Sequence, residues 1–344
     1  MSGQKRVVWS EGMLMLPQHF QQQTRYFEQL IQRQQTNVPY PMWGLANLEI
    51  DTALLNVGKI SLVKASGFFP DGSFFELPDR DKLPPALDIT GQDRGQVIYL
   101  CLYVFHGNTT EVTREQQKAD YCRYLLEEIP LRDVSCELAE KHDVEVCALN
   151  LRLLREKDDR AEYLCIPLAR VQEVKGDGGV ELSPDFIPST LNIKSCAYMA
   201  SVIEELESIA RHRAEAIAAR VSVEGKAVAS EVADFLMLQC LNRYLPRLVH
   251  VSRQAYIHPY FLFLLFIEII GEFSTFTRAG KLAPDLPDYR HDQLSGCFAE
   301  LIRELKTAFS TVLEQKSVNI PLEDRNYGVN VGKLPDKRLL TNSA

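Results

Sequence analysis

No Cys-x-x-Cys pair occurs among the eight cysteines at 101, 122, 136, 147, 165, 196, 240 and 297, and the closest two, Cys136 and Cys147, are eleven residues apart. That spacing excludes a zinc knuckle and a thioredoxin-type pair. Scattered single thiols in a large chain read as reduced, buried cysteine of a cytoplasmic protein. Long apolar runs are also missing. The longest, Tyr260 to Ile270, covers eleven residues and contains Glu268, whereas a membrane crossing needs ~20. The apolar stretch after Lys5 and Arg6 is broken by Ser10 and Glu11, so it is no signal peptide. No direct membrane insertion is expected. Positive charge is in deficit too, with 38 Lys and Arg against 46 Asp and Glu and a net charge of −8. Nucleic acid is therefore not an expected partner.

The common catalytic signatures fail as well. Gly328 to Leu334 places three residues, not four, before Gly332-Lys333 and ends without a hydroxyl, so it is no phosphate-binding loop. No Gly-x-Ser-x-Gly, Gly-x-Gly-x-x-Gly or His-Glu-x-x-His occurs. Glu268 and Glu272, four apart, could converge with His258 and His291 as a metal site of a helical-bundle enzyme. No Glu-x-x-His accompanies them, and a carboxylate pair held by arginine or a backbone NH is the plainer reading. His291-Asp292 can be an acid–base pair or a helix first turn complementing the dipole. His19 has no nucleophile or base near it. No cofactor and no catalytic residue is assigned.

What remains is 344 residues, 46% hydrophobic and 24% charged, enough for two domains. The pattern changes near residue 193. Before it, Val97 to Phe105 reads as a strand buried on both faces. Val144 to Leu153 alternates as a strand with one wet face, bulged near Ala148. Leu164 to Val174 is another strand, with Pro167 marking an edge or bulge. Phe69-Pro70-Asp71-Gly72 and Gly176 to Gly179 are tight turns. Many short strands favour a β-sandwich. Two helices interrupt it. One begins at Pro17, with Phe20, Phe27, Leu30 and Ile31 in one stripe beside a glutamine-rich face; the other covers residues 111–128. Trp9 is either tucked onto its own domain or offered to a partner.

After 193 the chain reads as four helices, over about 195–222, 230–253, 259–276 and 290–316, the second interrupted by Pro246. In the second, Val232, Phe235, Leu236, Leu241, Leu245 and Leu248 repeat at helical spacing. In the fourth, Leu294, Phe298, Leu301, Leu305, Ala308 and Val312 alternate four and three, a heptad seam suited to packing on other subunits. The expected class is α+β: residues 1–193 a β-sandwich with an N-terminal helix, 194–316 a helical bundle, 317–344 a linker.

An ordered set of short motifs resembles the TssK family, also called ImpJ or VasE, of the bacterial type VI secretion baseplate. They are Val8-Trp9-Ser10-Glu11-Gly12-Met13, Pro17-Gln18-His19-Phe20-Gln21, Phe69-Pro70-Asp71-Gly72, Ile166 to Val171 and Phe186-Ile187-Pro188. Asn242 to Pro246, His258-Pro259, Gly271 to Phe276 and Tyr289-Arg290-His291-Asp292 continue the series. Tyr260 stands where the family often carries an acidic residue. The resemblance implies a β-sandwich shoulder, a trimerising helical neck and a C-terminal head, missing or only begun after Pro321-Leu322. It further implies a homotrimer that binds the wedge proteins TssF and TssG on its shoulder side. The head would dock to the membrane-complex proteins TssM and TssL. Leu294 to Val312 is then the expected trimer seam, and Trp9, Met13 and Phe20 the expected wedge contact.

Overall fold

The structure is a computed structural model describing residues 5–104, 110–113, 121–135, 140–221, 228–310, 322–325 and 329–332. The chain separates into two units, but not at one boundary near 193. The first comprises Met1–Val202, Gln254–Leu264 and Pro287–Glu300; the second comprises Ile203–Arg253, Leu265–Leu286 and Leu301–Ala344.

Helix α1 (Pro17–Thr36) is followed by β1 (Gly44–Ile50), the single-turn α2 (Thr52–Leu55), β2 (Lys59–Ile60), β3 (Leu62–Phe68), β4 (Phe74–Leu77) and β5 (Leu87–Asp88). Then come β6 (Val97–Tyr103), β7 (Val112–Thr113), β8 (Tyr124–Arg132), β9 (Lys141–Leu149), β10 (Leu151–Arg155), β11 (Tyr163–Val174) and β12 (Val180–Leu182). One sheet has the order β1-β3-β4 and a second the order β10-β6-β11-β12. Leu45, Leu62, Phe75 and Leu77 of the first share one core with Ile98, Leu100, Leu151, Ile166 and Leu168 of the second, which makes a sandwich. β6 is flanked on both sides and buried along most of its length, as its continuous apolar run predicts. Pro167 sits at a register shift of β11 against β6, so its missing donor falls in a bulge. The hairpin turn after Phe68 closes with Gly72 N donating to Phe69 O at 2.8 Å, and Gly72 holds the positive φ of +82° that only glycine adopts freely.

Two strand-half expectations change. The described ends of the expected helix 111–128 are strand instead: β7 occupies 112–113, β8 begins at Tyr124 and pairs residue by residue with β9, and residues 114–120 lie outside the described residues. Nine antiparallel partners supply the backbone with bonds that outweigh local helix preference. The alternation of Val144 to Leu153 is two strands rather than one bulged strand. β9 pairs with β8, β10 pairs with β6, and the chain changes sheets at Asn150. Asn150 pins the crossing, its side-chain amide donating to Cys122 O at 2.8 Å and its backbone N–H to Arg123 O at 2.9 Å.

Helices α3 (Ala197–Val221), α4 (Val228–Arg253), α5 (Pro259–Thr277) and α6 (Leu294–Ser310) follow, then β13 (Leu322–Arg325) paired with β14 (Val329–Gly332). Within the second unit, Ile203, Leu206 and Ile217 of α3, Met237, Leu241 and Leu248 of α4, Phe266, Ile269 and Phe273 of α5, and Leu301, Leu305 and Phe309 of α6 are all buried. Phe273 meets Phe309 edge-on at 5.2 Å. Arg220–Asp234 at 3.1 Å, Arg278–Glu304 at 2.6 Å and Lys306–Glu205 at 2.7 Å join the helices at their rims. Among the described residues α5 is the one helix long and apolar enough to cross a membrane. Leu262, Phe263, Phe266, Ile269, Ile270 and Phe273 on it are covered within the chain, while Phe261 is exposed.

The polar core of the sandwich is tied by Arg123, buried beneath the first hairpin. It donates to Tyr103 O at 2.7 Å, to Asp71 and to Ser73 Oγ. Arg123→Ala should destabilise the protein by about 3 kcal/mol, because it strands these acceptors and the Asp71 charge. Urea denaturation against wild type measures it.

Candidate interaction surface

An amphipathic helix normally turns its apolar stripe inward. α1 does the reverse. Phe20, Phe27, Leu30 and Ile31 are between 43% and 56% exposed. Gln22, Arg25, Gln29, Gln32 and Gln35, one helical face away, are the half-buried side. Arg25 pairs with Glu111 at 2.7 Å, and a Cβ at Gly72 would meet Gln35 Oε1 at 2.7 Å, so the polar face lies against the first hairpin. Burial raises the Glu28 carboxyl, with Arg123 and Arg25 opposing that rise. The helix starts cleanly: Pro17 occupies its first turn, and His19 Nδ1 accepts from Leu16 N–H at 3.1 Å. His19 is therefore a capping residue.

The segment before α1 extends the same face. Trp9 is 44% exposed and stacks loosely with Phe20 and His19, centroids 6.1 Å apart in both cases. Gln22 Nε2 donates to Lys5 O at 2.7 Å and holds this segment along the helix. Met13 is half-buried beside a turn closed by its N–H on Ser10 O. Val8, Leu14, Met15 and Leu16 are also exposed. The structure thus brings Trp9 and Phe20 together on an exposed apolar face.

The seam on α6 is different. Leu294, Phe298, Leu301, Leu305 and Ala308 are 5% exposed or less, and Val312 lies outside the described residues. The described side chains of the expected trimer seam are thus covered inside one protomer. On α4, Leu241 and Leu248 are buried, while Val232, Phe235 and Leu236 at the same helical spacing stay open, Phe235 at 58%. The spacing found the stripe but not what covers it.

The metal-site residues do not converge. Glu272 accepts from Tyr244 Oη at 2.6 Å and from Cys240 Sγ at 3.2 Å, and pairs with Arg243; Glu268 pairs with Arg247 at 2.6 Å. Burial and the neighbouring carboxylate push the Tyr244 hydroxyl up to about 12. Among the described residues no three His, Cys, Asp or Glu side chains are grouped to hold a metal ion.

His258 and His291 form a joint that neither sequence position announces. Their rings stack at 5.4 Å and 7°. His258 Nε2 donates to Pro41 O and His291 Nε2 to Trp43 O, both at 2.8 Å. Each Nδ1 is an acceptor, from Tyr260 N–H at 3.2 Å and from Tyr289 Oη–H at 2.6 Å. Asp292 pairs with Arg290 at 3.9 Å, and both nitrogens of His291 are taken by Tyr289 and Trp43, so the acid–base pair is not assembled. Gly44 belongs to the same joint: at φ +115° its Cβ would sit 2.8 Å from Ser189 O.

Residues 19–344 match the family described as bacterial type VI secretion, EvfL, ImpJ, VasE. The chain belongs to that family. It is also 36% identical to the type VI secretion system baseplate component TssK1 of Pseudomonas aeruginosa, over all of this chain and 78% of that protein. A crystal structure of TssK superposes with a TM-score of 0.85 at 30% identity, covering 98% of this chain and 76% of the other. A chain of the TssK-TssF-TssG baseplate subcomplex shares the fold at a TM-score of 0.77 and 24% identity, covering 89% and 99%. The sandwich and the helices that follow it are thus the TssK fold.

Burial pulls the His291 imidazole down to about 4, the Trp43 bond and His258 being smaller influences, and burial also lowers His258. Both rings are neutral when folded but protonate near the usual 6.5 when unfolded. Stability is therefore complete above about pH 6.5 and falls as the pH drops toward 4. The His291 share is on the order of 3 kcal/mol. His291→Gln should flatten that acid limb, read as denaturation midpoints of variant and wild type at pH 7 and pH 4.5.

Proposed function

We propose that this chain is a structural adaptor of a type VI secretion baseplate, working in the cytoplasm as a homotrimer and by contact rather than catalysis. The wedge proteins TssF and TssG seat on the N-terminal surface around Trp9, Met13 and Phe20. The observation that carries this reading is the outward apolar face of α1 in a chain of the TssK family. Such a face is satisfied only when a partner covers it. Docking to the membrane-complex proteins TssM and TssL is the role of the family's head and completes the proposal.

Trp9→Ala with Phe20→Ala should weaken co-purification with TssF and TssG by roughly 30-fold in Kd, about 2 kcal/mol. Unchanged recovery of both wedge proteins removes the assignment.

The trimer contact is proposed on α4, where Val232, Phe235 and Leu236 leave apolar area uncovered. Phe235→Glu with Leu236→Glu should give a folded monomer by light scattering, since the exposed site tolerates charge in the protomer but not between copies. A variant that stays trimeric moves the contact elsewhere.

A further inference from the structure

Seven of the eight cysteines are described, and two of them face each other. Cys101 on β6 and Cys165 on β11 are direct cross-strand partners, 64 residues apart in sequence. Their sulfurs are 3.2 Å apart, with the Cys101 thiol donating to Cys165. Antiparallel partners have Cα atoms roughly 4.5–5.5 Å apart, inside the ~4.4–6.8 Å that a disulfide spans. The two sulfurs can bond with side-chain rotation and little backbone movement.

The pair is also chemically unequal. Cys101 is fully buried and Cys165 half-buried, so Cys165 is the member of the pair nearer to solvent. The Cys101 hydrogen bond and the nearby Arg160 guanidinium, itself 4.0 Å above the Tyr99 ring, hold the Cys165 thiol below its usual value. Burial raises the Cys101 thiol. One sulfur is set to attack and the other to resolve.

We infer that Cys101 and Cys165 are a redox-modification site that closes to a cross-strand disulfide on exposure to a low-molecular-weight disulfide. The Cys165 thiolate attacks one sulfur of glutathione disulfide. That S–S bond breaks, one glutathione leaves as thiolate, and Cys165 carries the other. Cys101 then attacks the Cys165 sulfur, forming the protein S–S bond, and its proton leaves on the second glutathione as that departs. Two protein thiols are oxidised and one glutathione disulfide is reduced to two thiols. Burial of Cys101 makes the second step the slow one. The bridge would staple the central strand of the four-stranded sheet to its neighbour.

The test incubates the full chain with excess glutathione disulfide and follows it by intact mass, thiol titration and peptide mapping. The expected product has two fewer titratable thiols and a Cys101–Cys165 linked peptide, with a thermal midpoint raised by about 5 °C. By peptide mapping, Cys101→Ser should stop at the mixed disulfide on Cys165, and Cys165→Ser should leave Cys101 unmodified, whatever the exposed Cys147 takes up. A wild-type chain that keeps all its thiols, or that links other cysteines instead, overturns the inference without reference to either variant.

Discussion

The carbonyls of Pro41 and Trp43 lie just ahead of β1, where no neighbouring strand takes them, and buried main-chain oxygens must find donors. They find them in His258 and His291, which reach back across more than two hundred residues of sequence. Leu45 closes the same joint from the other side, its N–H on Ser189 O and its own O accepting from Leu191 N–H and Thr190 Oγ1. The first unit is therefore completed by chain that has already left it. Stretches 254–264 and 287–300 return to satisfy the start of the sandwich. Both rings must stay neutral to do so, because each Nδ1 already receives a hydrogen.

Two helices among the described residues carry an exposed apolar face, and the faces differ in kind. The face of α4 is a small patch on a helix whose other side is well buried. The face of α1 is the whole hydrophobic output of its helix, since its inward side is glutamine and arginine. At ~25 cal/mol per Å² of apolar area, covering several such side chains supplies the scale of energy that a stable interface needs after association costs. A polar underside suits this arrangement: it fixes where the helix lies without competing for the stripe.

Much of the fold was legible in order along the chain. The apolar run of β6, the glycine turns at 72 and 178 and the bulge at Pro167 each rest on a local rule that the structure obeys. The four later helices do so as well. What local rules could not show is what lies opposite an element. β8 carries helix-compatible residues, and only its pairing with β9 decides otherwise. The seam of α6 and the stripe of α1 are equally periodic, yet one is sealed within the protomer and the other is open. Periodicity reports that a face exists; burial depends on residues tens of positions away. His258 and His291, 33 positions apart, carry no spacing signal at all, and the cysteine partners on β6 and β11 meet only through register.

The inverted helix also explains why partner and order should be linked in this region. Isolated helices of twenty residues are marginal in water, and tertiary burial of the apolar side is what normally stabilises them. α1 lacks that contribution within the chain and relies on a capped start, an ion pair from Arg25 and amide contacts near the first hairpin. A partner that covers Phe20, Phe27 and Ile31 therefore supplies the missing burial along with the contact. Part of its binding energy goes into holding the helix, which ties the integrity of this surface to occupancy and leaves the sandwich beneath it, with its own complete core, unaffected.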